Sequence, residues 1–282
     1  MQLASQLDSL VIIPYICFYP RLAEPFIRHA MRGSALTKLP QFSRIIRRLA
    51  HLILPVECTI CQSVLTDDPV PFFCRSCWND VAPLTGPSCP RCGQPFMSPV
   101  TLTYAPDHLC MSCRLHPPAY TRAWGAFPYE PPLQDAIRLF KYHGKVVLTS
   151  YLGGLLKKHA PSLPQVDMLM PVPLHSERLR ERGFNQALLL ADRLNRRLQL
   201  PISYDNLVRL RPTLPQTELS RKARVNNLRR AFGILRPEEV KNRRILLIDD
   251  VMTTGTTVNE CAKALRKAGS ADVYVLALAR AL

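Results

Sequence analysis

The residues most able to carry chemistry lie in one short stretch, where two adjacent carboxylates precede a run of small hydroxyl residues. Asp249 and Asp250 can accept hydrogen bonds from sugar hydroxyls or hold a hydrated magnesium ion. The turn that follows can offer backbone N–H groups, hydroxyls and the positive end of a helix dipole to a phosphate. Its residues are Val251, Met252, Thr253, Thr254, Gly255, Thr256 and Thr257. This combination predicts a ribose 5-phosphate site; the plainer alternative is a strand-to-helix turn with two solvated acids.

Eight of the ten cysteines fall in four C-x-x-C pairs, a spacing that lets each pair direct two thiolates at one metal ion. The pairs are Cys58 and Cys61, Cys74 and Cys77, Cys89 and Cys92, and Cys110 and Cys113. We expect two structural zinc ions, each held by two consecutive pairs, although a crossed arrangement also satisfies the spacing. A redox dithiol would need one pair on a strand–helix unit. Four pairs in proline-rich loops therefore favour zinc in a reducing compartment.

A second candidate anion site follows residues 166–171, an apolar run typical of a buried strand. Arg178 and Arg182 lie after this run and before Gly183, in a stretch that we interpret as a polar loop. Guanidinium groups bind phosphate oxygens through paired hydrogen bonds and do not lose their charge. The two arginines are therefore candidates to bind a further phosphate group, such as a departing pyrophosphate.

Alternating strands and helices must position these residues. The strands are predicted at 166–171, 245–248 and 272–279, and the helices at 133–142, 148–158, 187–198 and 258–268. This alternation predicts an α/β domain in which the carboxylates lie at the carboxyl end of a parallel strand. At the end of the first helix, Lys141, Tyr142 and His143 could reach an anionic ligand, but an exposed helix end is the favoured interpretation. Cys261 lies on the apolar side of its helix and is expected in the core.

The chain of 282 residues is strongly basic, with a formal net charge of +16 and a pI near 9.7. This charge favours anionic partners such as phosphates, nucleic acid or an acidic membrane surface. No run of about 18 apolar residues occurs, so no membrane span is expected. A signal peptide is not expected either, because the short apolar run near the start lacks preceding basic residues. Residues 42–54 form a candidate amphipathic basic helix, either on a membrane or partner or, as we favour, capping the next module.

The stretch LLIDDVMTTGTT resembles the phosphoribosyl pyrophosphate (PRPP) motif of type I phosphoribosyltransferases. Together with the paired C-x-x-C motifs and with MPVPLHSERLRERGFNQALLLA, it makes the chain similar to the ComF family. That resemblance implies an α/β fold of the type I phosphoribosyltransferase kind, a parallel sheet flanked by helices, preceded by a small double zinc ribbon. The expected boundaries are an N-terminal extension at 1–54, the double zinc ribbon at 55–118 and the phosphoribosyltransferase-like domain at 119–282.

The same resemblance implies roles for the candidate residues. Asp249 and Asp250 would contact the ribose hydroxyls, and residues 253–257 would bind the 5-phosphate. Arg178 and Arg182 would bind pyrophosphate with its magnesium ion. In the type I fold, residues 207–232 correspond to a mobile loop that closes over the substrate. This basic stretch could also form a nucleic-acid patch, and the two roles are compatible.

At the level of function, the resemblance implies a cytoplasmic protein of competence and DNA uptake that binds PRPP and magnesium. It is expected to be a phosphoribosyltransferase whose acceptor the residues do not identify. The alternative is a module without turnover, which senses PRPP or binds single-stranded DNA for the uptake machinery. Peripheral contact with membrane-associated uptake proteins is a further expectation, since no membrane span is predicted.

Overall fold

The computed structural model describes residues 56–98, 102, 103, 105–211, 228 and 230–282. The amphipathic basic helix predicted at 42–54 lies outside the described residues, and so does most of the loop predicted at 207–232. Residues Val56–Leu282 group into one compact unit. Within the described ranges, no helix is both long and apolar enough to cross a membrane.

Short helices accompany the cysteine pairs, and alternating strands and helices follow them. The described helices are α1 (Arg75–Asn79), α2 (Met111–Leu115), α3 (Leu133–Tyr142), α4 (Thr149–His159), α5 (Ser176–Arg182), α6 (Gln186–Leu198), α7 (Pro237–Val240) and α8 (Thr256–Lys267). The described strands are β1 (Arg122–Pro128), β2 (Met168–Pro171), β3 (Leu207–Arg209), β4 (Phe232–Ile234), β5 (Arg244–Met252) and β6 (Asp272–Arg280). A 3-10 turn, Val146–Leu148, leads into α4.

One parallel sheet of four strands, in the order β1, β6, β5, β2, forms the centre of the fold. The side chains of β5 alternate between two apolar clusters. Ile245 and Leu247 pack on one face, and Leu246 and Ile248 pack on the other. All four are fully buried, which explains why this stretch is an uninterrupted apolar run in the sequence. The predicted α/β fold with a parallel sheet flanked by helices is confirmed.

Two strands of this sheet differ from the sequence prediction. β5 continues to residue 252, so Asp249 and Asp250 lie within the carboxyl end of the strand instead of after it. The sequence pattern does not predict β1, because its residues RAWGAFP include a glycine and a proline, which are unfavourable in strand interiors. Gly125 is required in β1, since a Cβ there would come within 2.6 Å of the Arg280 Cβ.

The polar loop predicted around Arg178 and Arg182 is wrong, because residues Ser176–Arg182 form helix α5. The helix begins where the His175 side chain accepts a hydrogen bond from a backbone N–H of the first turn. It ends at Gly183, whose φ of +75° is left-handed. The sequence SERLRER contains one apolar residue, so hydrophobic periodicity could not reveal this helix.

A separate antiparallel sheet of two strands, β3 and β4, adjoins the predicted loop. Leu207 pairs with Ile234, and Arg209 pairs with Phe232. The two ends of the stretch 207–232 are therefore held together by backbone hydrogen bonds. Each strand has only three residues, too few for an alternating pattern, and the sequence does not predict either of them.

The cysteine-rich part consists of two similar halves, which we call the first zinc ribbon (56–80) and the second zinc ribbon (81–118). In each half an antiparallel bridge flanks the first cysteine pair, Glu57 with Val64 and Ser88 with Pro95, and a short helix lies at the second pair. The first zinc ribbon has a further bridge between Val70 and Phe73. The second zinc ribbon covers the free edge of the main sheet. The backbone N–H of Ala123 in β1 donates to the carbonyl of Arg91 at 2.9 Å. An exposed strand edge invites pairing with another chain, so this contact protects the sheet on that side.

Candidate functional site

Two groups of four cysteines place their sulfur atoms close enough to share a metal ion. The ligand atoms within each group lie within 4.8 Å of one another, and the groups are Cys58, Cys61, Cys74 and Cys77, and Cys89, Cys92, Cys110 and Cys113. The Sγ atoms of Cys61 and Cys74 are 3.7 Å apart, as are those of Cys92 and Cys110. Four sulfurs at about 2.3 Å around a tetrahedral zinc ion lie about 3.8 Å from one another, so both groups fit zinc. The pairs combine consecutively, as the sequence predicts.

Backbone N–H groups contact the sulfur atoms in the same way in both groups. The N–H of Cys74 donates to Sγ of Cys58 at 3.3 Å, and the N–H of Cys110 donates to Sγ of Cys89 at 3.4 Å. Every ligand in these two groups is a cysteine. Four thiolates complete a tetrahedral zinc site and leave no position for a substrate. The two zinc sites are therefore structural, and their metal stabilises the fold.

Asp249 and Asp250 continue the alternation of the buried residues that precede them in β5. Asp249 faces the cluster that contains Cys261 of α8, and Asp250 faces the opposite side of the sheet, where α3 lies. The Asp250 side chain is almost fully buried and forms an ion pair with Lys141 at the end of α3, with 2.6 Å between Oδ1 and Nζ. Asp249 accepts a hydrogen bond from the backbone N–H of Asp250 at 2.9 Å.

The two carboxylates differ in their electrostatic surroundings. Burial, and then the charge of Asp250, raise the pKa of Asp249 to about 7, while Lys141 and Arg209 oppose the rise. Burial by itself would lower the pKa of Lys141, but the neighbouring Asp250 carboxylate outweighs it and raises that pKa above its ordinary value. Near neutral pH, the site therefore holds an ion pair beside a carboxyl group that can gain or lose a proton.

The loop between β5 and α8 has the geometry of an anion cradle. Gly255, with a φ of +73°, is the N-cap of α8, a helix of 12 residues. The Oγ1 atoms of Thr254 and Thr256 are hydrogen-bonded at 2.8 Å, and Thr253 and Thr254 are exposed to solvent. Hydroxyls and N–H groups at a helix N-terminus suit a phosphate, because the helix dipole adds positive potential there.

The remaining predicted residues of this loop are less accessible. The Met252 side chain is only 2% exposed, so it can offer a ligand no more than its backbone. Val251 is half-buried and packs against the cluster on the α3 side of the sheet. Thr257 is half-buried in the first turn of α8. Direct side-chain contact with an anion is thus left to the threonines of the loop.

Arg178 and Arg182, both on α5, have different neighbours. Arg182 donates from Nη1 to Oε1 of Gln186 at 3.1 Å, and its guanidinium lies 5.0 Å from the centre of the Tyr142 ring. Arg178 is half-buried near Arg209 of β3. Burial lowers the pKa of Arg209, and the positive charge of Arg178 lowers it further. A guanidinium has five N–H donors, so the two contacts of Arg182 orient it without using all of them.

Arg209 lies between the carboxylates and the arginines, although the sequence predicts it only as one member of the basic stretch 207–232. Its charge acts on both Asp249 and Arg178, and its guanidinium lies 5.6 Å from the centre of the Phe232 ring in β4. The predicted carboxylate and arginine sites are therefore neighbours on this face of the sheet. The residues LVR of β3 give no sequence signal, because three residues cannot establish a period.

Lys141 and Tyr142 make the corresponding link on the other face. Lys141 pairs with Asp250, and Tyr142 lies beneath the guanidinium of Arg182. The exposed helix end favoured from the sequence is wrong for Lys141, whose side chain is 16% exposed because it reaches the buried carboxylate. It is right for Tyr142, which is 63% exposed. The sequence signal for the role of Lys141 was a basic residue in the last turn of an amphipathic helix. Basic residues are also common at exposed helix ends, so this signal does not identify a site residue.

Models of two protein families match parts of this chain. A double zinc ribbon domain matches residues 49–115, and a phosphoribosyl transferase domain matches residues 185–281. The first match includes all eight cysteines of the two zinc sites. The second includes Asp249 and Asp250, the loop after them, and Arg209. It begins after Arg178 and Arg182, so it does not include them.

Three relatives are similar over most of their own length. Competence protein F of Haemophilus influenzae is 34% identical over 218 residues, which is 74% of this chain and 90% of that protein. The DNA utilization protein YhgH of Escherichia coli is 35% identical over 200 residues, 69% of this chain and 84% of that protein. Competence protein ComFC of Bacillus subtilis is 26% identical over 232 residues, 76% of this chain and 90% of that protein.

Proposed function

Because this chain belongs to the ComF family of double zinc ribbon and phosphoribosyltransferase-like proteins, we propose that it binds PRPP with magnesium. The observation that carries the proposal is the junction of β5 and α8. Two carboxylates lie at the carboxyl end of a parallel strand, and a loop capped by Gly255 leads directly into a helix of 12 residues. Ligands of open α/β sheets bind at the carboxyl ends of the strands. In a ribose phosphate, the hydroxyls match the two carboxylates and the phosphate matches the loop.

Each part of PRPP has a proposed partner. Asp249 and Asp250 accept hydrogen bonds from the ribose hydroxyls, and residues 253–257 bind the 5-phosphate. Arg178 and Arg182 bind the pyrophosphate, whose oxygens match the guanidinium fork. Carboxylate and phosphate oxygens are the hard ligands that magnesium prefers, so the residues present fit this ion. Magnesium bound with PRPP would supply positive charge that favours the pyrophosphate as a leaving group.

The proposed reaction is transfer of the phosphoribosyl group. The bond between ribose C1 and the pyrophosphate oxygen breaks, and its electron pair leaves with pyrophosphate. A nucleophilic atom of the acceptor donates an electron pair to form the new bond to C1, and a proton carried by that atom is released to water. The sugar is cationic in the transition state, so a nearby carboxylate such as Asp249 lowers the barrier, and the two arginines stabilise the leaving group.

We also propose that the protein acts in competence and DNA uptake, in the cytoplasm. The names of its relatives, competence and DNA utilization proteins, support this role. The net charge of +16 suits a nucleic-acid partner.

Exposed cations gather at the carboxyl ends of α4 and α6, where the Arg197 guanidinium donates to the carbonyl of Lys157 at 2.8 Å. They are Lys157, Lys158, Arg196 and Arg197. This face supports a second candidate function, binding of single-stranded DNA without turnover.

Titration calorimetry with PRPP and magnesium tests the first proposal on the full chain. We expect the wild type to bind, and Asp250→Asn to bind at least about tenfold more weakly, because the loss of one charged hydrogen-bond partner costs about 1.5–3 kcal/mol. Asp107→Asn is the control, since Asp107 is an exposed carboxylate in the second zinc ribbon. Absence of binding by the wild type, or equal weakening in both variants, would reject PRPP as the ligand.

Measuring pyrophosphate release separates the enzyme from the binding module. The acceptors to be tested are bases, nucleosides and single-stranded DNA. Release that requires one acceptor and is lost in Asp249→Asn supports a transferase. If no acceptor gives release, and single-stranded DNA binding weakens steeply with salt and in the double variant Lys158→Gln, Arg196→Gln, the binding module is correct.

A further inference from the structure

A buried arginine at the end of β6 joins the second zinc ribbon to the main sheet. Arg280 is only 6% exposed. Its Nη1 donates to the carbonyl of Cys92 at 2.6 Å, and its Nη2 donates to Oε1 of Gln94 at 2.8 Å. The same guanidinium lies 4.0 Å from Sγ of Cys92 and 3.8 Å from Sδ of Met252. One side chain thus contacts both a zinc ligand and the last residue of β5.

A buried guanidinium needs a compensating charge, because removing a cation from water is costly unless it is paired. None of the ion pairs among the described residues includes Arg280. The guanidinium contacts the second zinc site, since its Nη2 lies 4.0 Å from Sγ of Cys92. Four thiolates around one Zn²⁺ carry a net charge of about −2. The hydrogen bonds to the Cys92 carbonyl and to the Gln94 side chain hold the guanidinium against this site.

The loop of the proposed ribose-phosphate site directly follows Met252, which Arg280 contacts. A Cβ placed on Gly255 would lie 3.5 Å from the Tyr120 hydroxyl and 3.8 Å from the Met252 sulfur. In the first turn of α8, Oδ1 of Asn259 accepts a hydrogen bond at 2.7 Å from the backbone N–H of Ala119, the residue that follows the second zinc ribbon. Tyr120 and Met252 share one apolar cluster with three zinc ligands, Cys89, Cys92 and Cys113.

The first zinc ribbon packs on a different part of the molecule. Its Val70 and Phe73 join the cluster on the opposite face of the sheet, together with Ile137 and Phe140 of α3. The two zinc sites are therefore not equivalent with respect to the loop. The second site shares an apolar cluster with Tyr120 and Met252, which adjoin the loop, whereas the first zinc ribbon packs against α3.

We propose that the second zinc site, acting through Arg280, fixes the conformation of the loop that binds the 5-phosphate. Arg280 is then a positioning residue, which contacts Cys92 on one side and Met252, directly before the loop, on the other. Coupling between two sites is reciprocal, so a ligand in the loop also stabilises zinc in the second site. The inference has two halves. The conformational half, that the second zinc site and Arg280 fix the loop, does not depend on the ligand. The ligand half, that a bound ligand stabilises zinc, rests on the proposed binding of PRPP.

Hydrogen exchange measured by mass spectrometry on the full, zinc-loaded chain tests the conformational half. Arg280→Met keeps most of the side-chain length and removes the charge and the donors. We expect amides of residues 252–259 to exchange about tenfold faster in this variant, and less so in Arg280→Lys, which keeps the charge. Arg244→Met is the matched control, because Arg244 pairs with Asp167 at 2.7 Å at the amino end of β5, at the opposite edge of the sheet.

Zinc release and PRPP binding complete the test. With a competing chelator, one of the two zinc ions should leave Arg280→Met about tenfold faster than wild type, and PRPP should slow that release in wild type.

Equal hydrogen exchange at residues 252–259 in Arg280→Met and wild type, or an equal increase in Arg244→Met, would overturn the inference. So would a release rate that bound PRPP leaves unchanged. If wild type binds no PRPP while Arg280→Met still shows faster exchange and zinc loss, the PRPP proposal fails and the coupling stands.

Discussion

The Nζ atom of Lys141 lies 2.6 Å from Oδ1 of Asp250, and the next residue, Tyr142, lies beneath the guanidinium of Arg182, 5.0 Å from its ring centre. The last turn of α3 therefore contacts one carboxylate, Asp250, and one arginine, Arg182, of the proposed site. Both contacts come from consecutive residues of one helix. A shift of α3 would consequently change the two halves of the site together.

Replacing Lys141 tests whether it maintains the charge of the neighbouring carboxylates. Lys141→Met removes the partner of Asp250 and the positive charge that opposes the raised pKa of Asp249. We expect PRPP affinity at about pH 7 to fall about tenfold, and part of the loss to be recovered at about pH 8.5, where Asp249 ionises. Calorimetry at both pH values measures this. Lys141→Arg, which keeps the charge, should stay near wild type; an equal loss at both pH values would contradict the prediction.

The raised pKa of Asp249 predicts how the stability of the free protein depends on pH. The pKa rises from 3.8 to about 7 on folding, so this group stabilises the fold at low pH, and the contribution is lost as the pH rises through about 7. Asp249→Asn cannot ionise, and it keeps an oxygen for the N–H of Asp250. We expect this variant to be more stable than wild type by about 1–2 kcal/mol at about pH 8, a figure reduced because the side chain is half-buried. The difference should shrink towards about pH 4. Urea unfolding that shows a constant difference would contradict this.

Arg182 and Arg180 form a matched pair for testing the pyrophosphate site. Both lie on α5, but Arg182 is oriented by Gln186 and Tyr142, whereas Arg180 is exposed. We expect Arg182→Met to weaken pyrophosphate binding about tenfold, because a charged hydrogen bond to phosphate is lost. Arg180→Met should change it by less than about twofold at physiological salt. Equal effects of the two variants on calorimetric affinity would show that α5 contributes only general positive charge.

The zinc ligands and the loop after Asp250 are predictable from sequence because their residues are close together in the chain. A C-x-x-C pair directs two sulfurs at one point through local backbone geometry, and a glycine before a helix specifies its N-cap in the same way. In both cases the chemistry is carried by consecutive residues. The structure then decides only which pairs combine, and the grouping of consecutive pairs follows from the two separate hairpins.

The contacts of Lys141, Arg209 and Arg280 could not be predicted in this way. Each is a basic residue whose partner lies in another element, so its role depends on how the sheet and helices pack. Arg280 is the last residue of β6, one residue beyond the strand that the sequence predicts, and its burial against Cys92 requires the second zinc ribbon to cover the sheet edge. A basic residue at the end of a helix or strand is usually solvated. The sequence alone therefore gives no reason to expect these three side chains to be buried.

Metal analysis of the purified protein tests the two zinc sites separately. The two groups of four cysteines predict two zinc ions per chain. Cys74→Ser removes one ligand from the first group, and we expect the variant to retain about one ion per chain, since three thiolates bind zinc more weakly. Cys261→Ala is the control: Cys261 is buried in the core and belongs to neither ligand group, so its replacement should not change the stoichiometry. A single zinc ion in wild type, or loss of both in Cys74→Ser, would contradict two independent sites.

Gly93 tests how closely the second zinc ribbon approaches β1. Its φ is +71°, and a Cβ would lie 2.6 Å from the carbonyl oxygen of Ala123, so Gly93→Ala adds both backbone strain and a clash with a strand. The equivalent Gln62 in the first ribbon has a φ of +61°, which shows that the hairpin itself accepts a side chain. We expect Gly93→Ala to lose about 3 kcal/mol in denaturant unfolding. Gly86→Ala, at a φ of +94° with nothing within 4 Å, should lose only about 1 kcal/mol. Equal losses would mean that strain alone, and not the contact with β1, requires glycine at position 93.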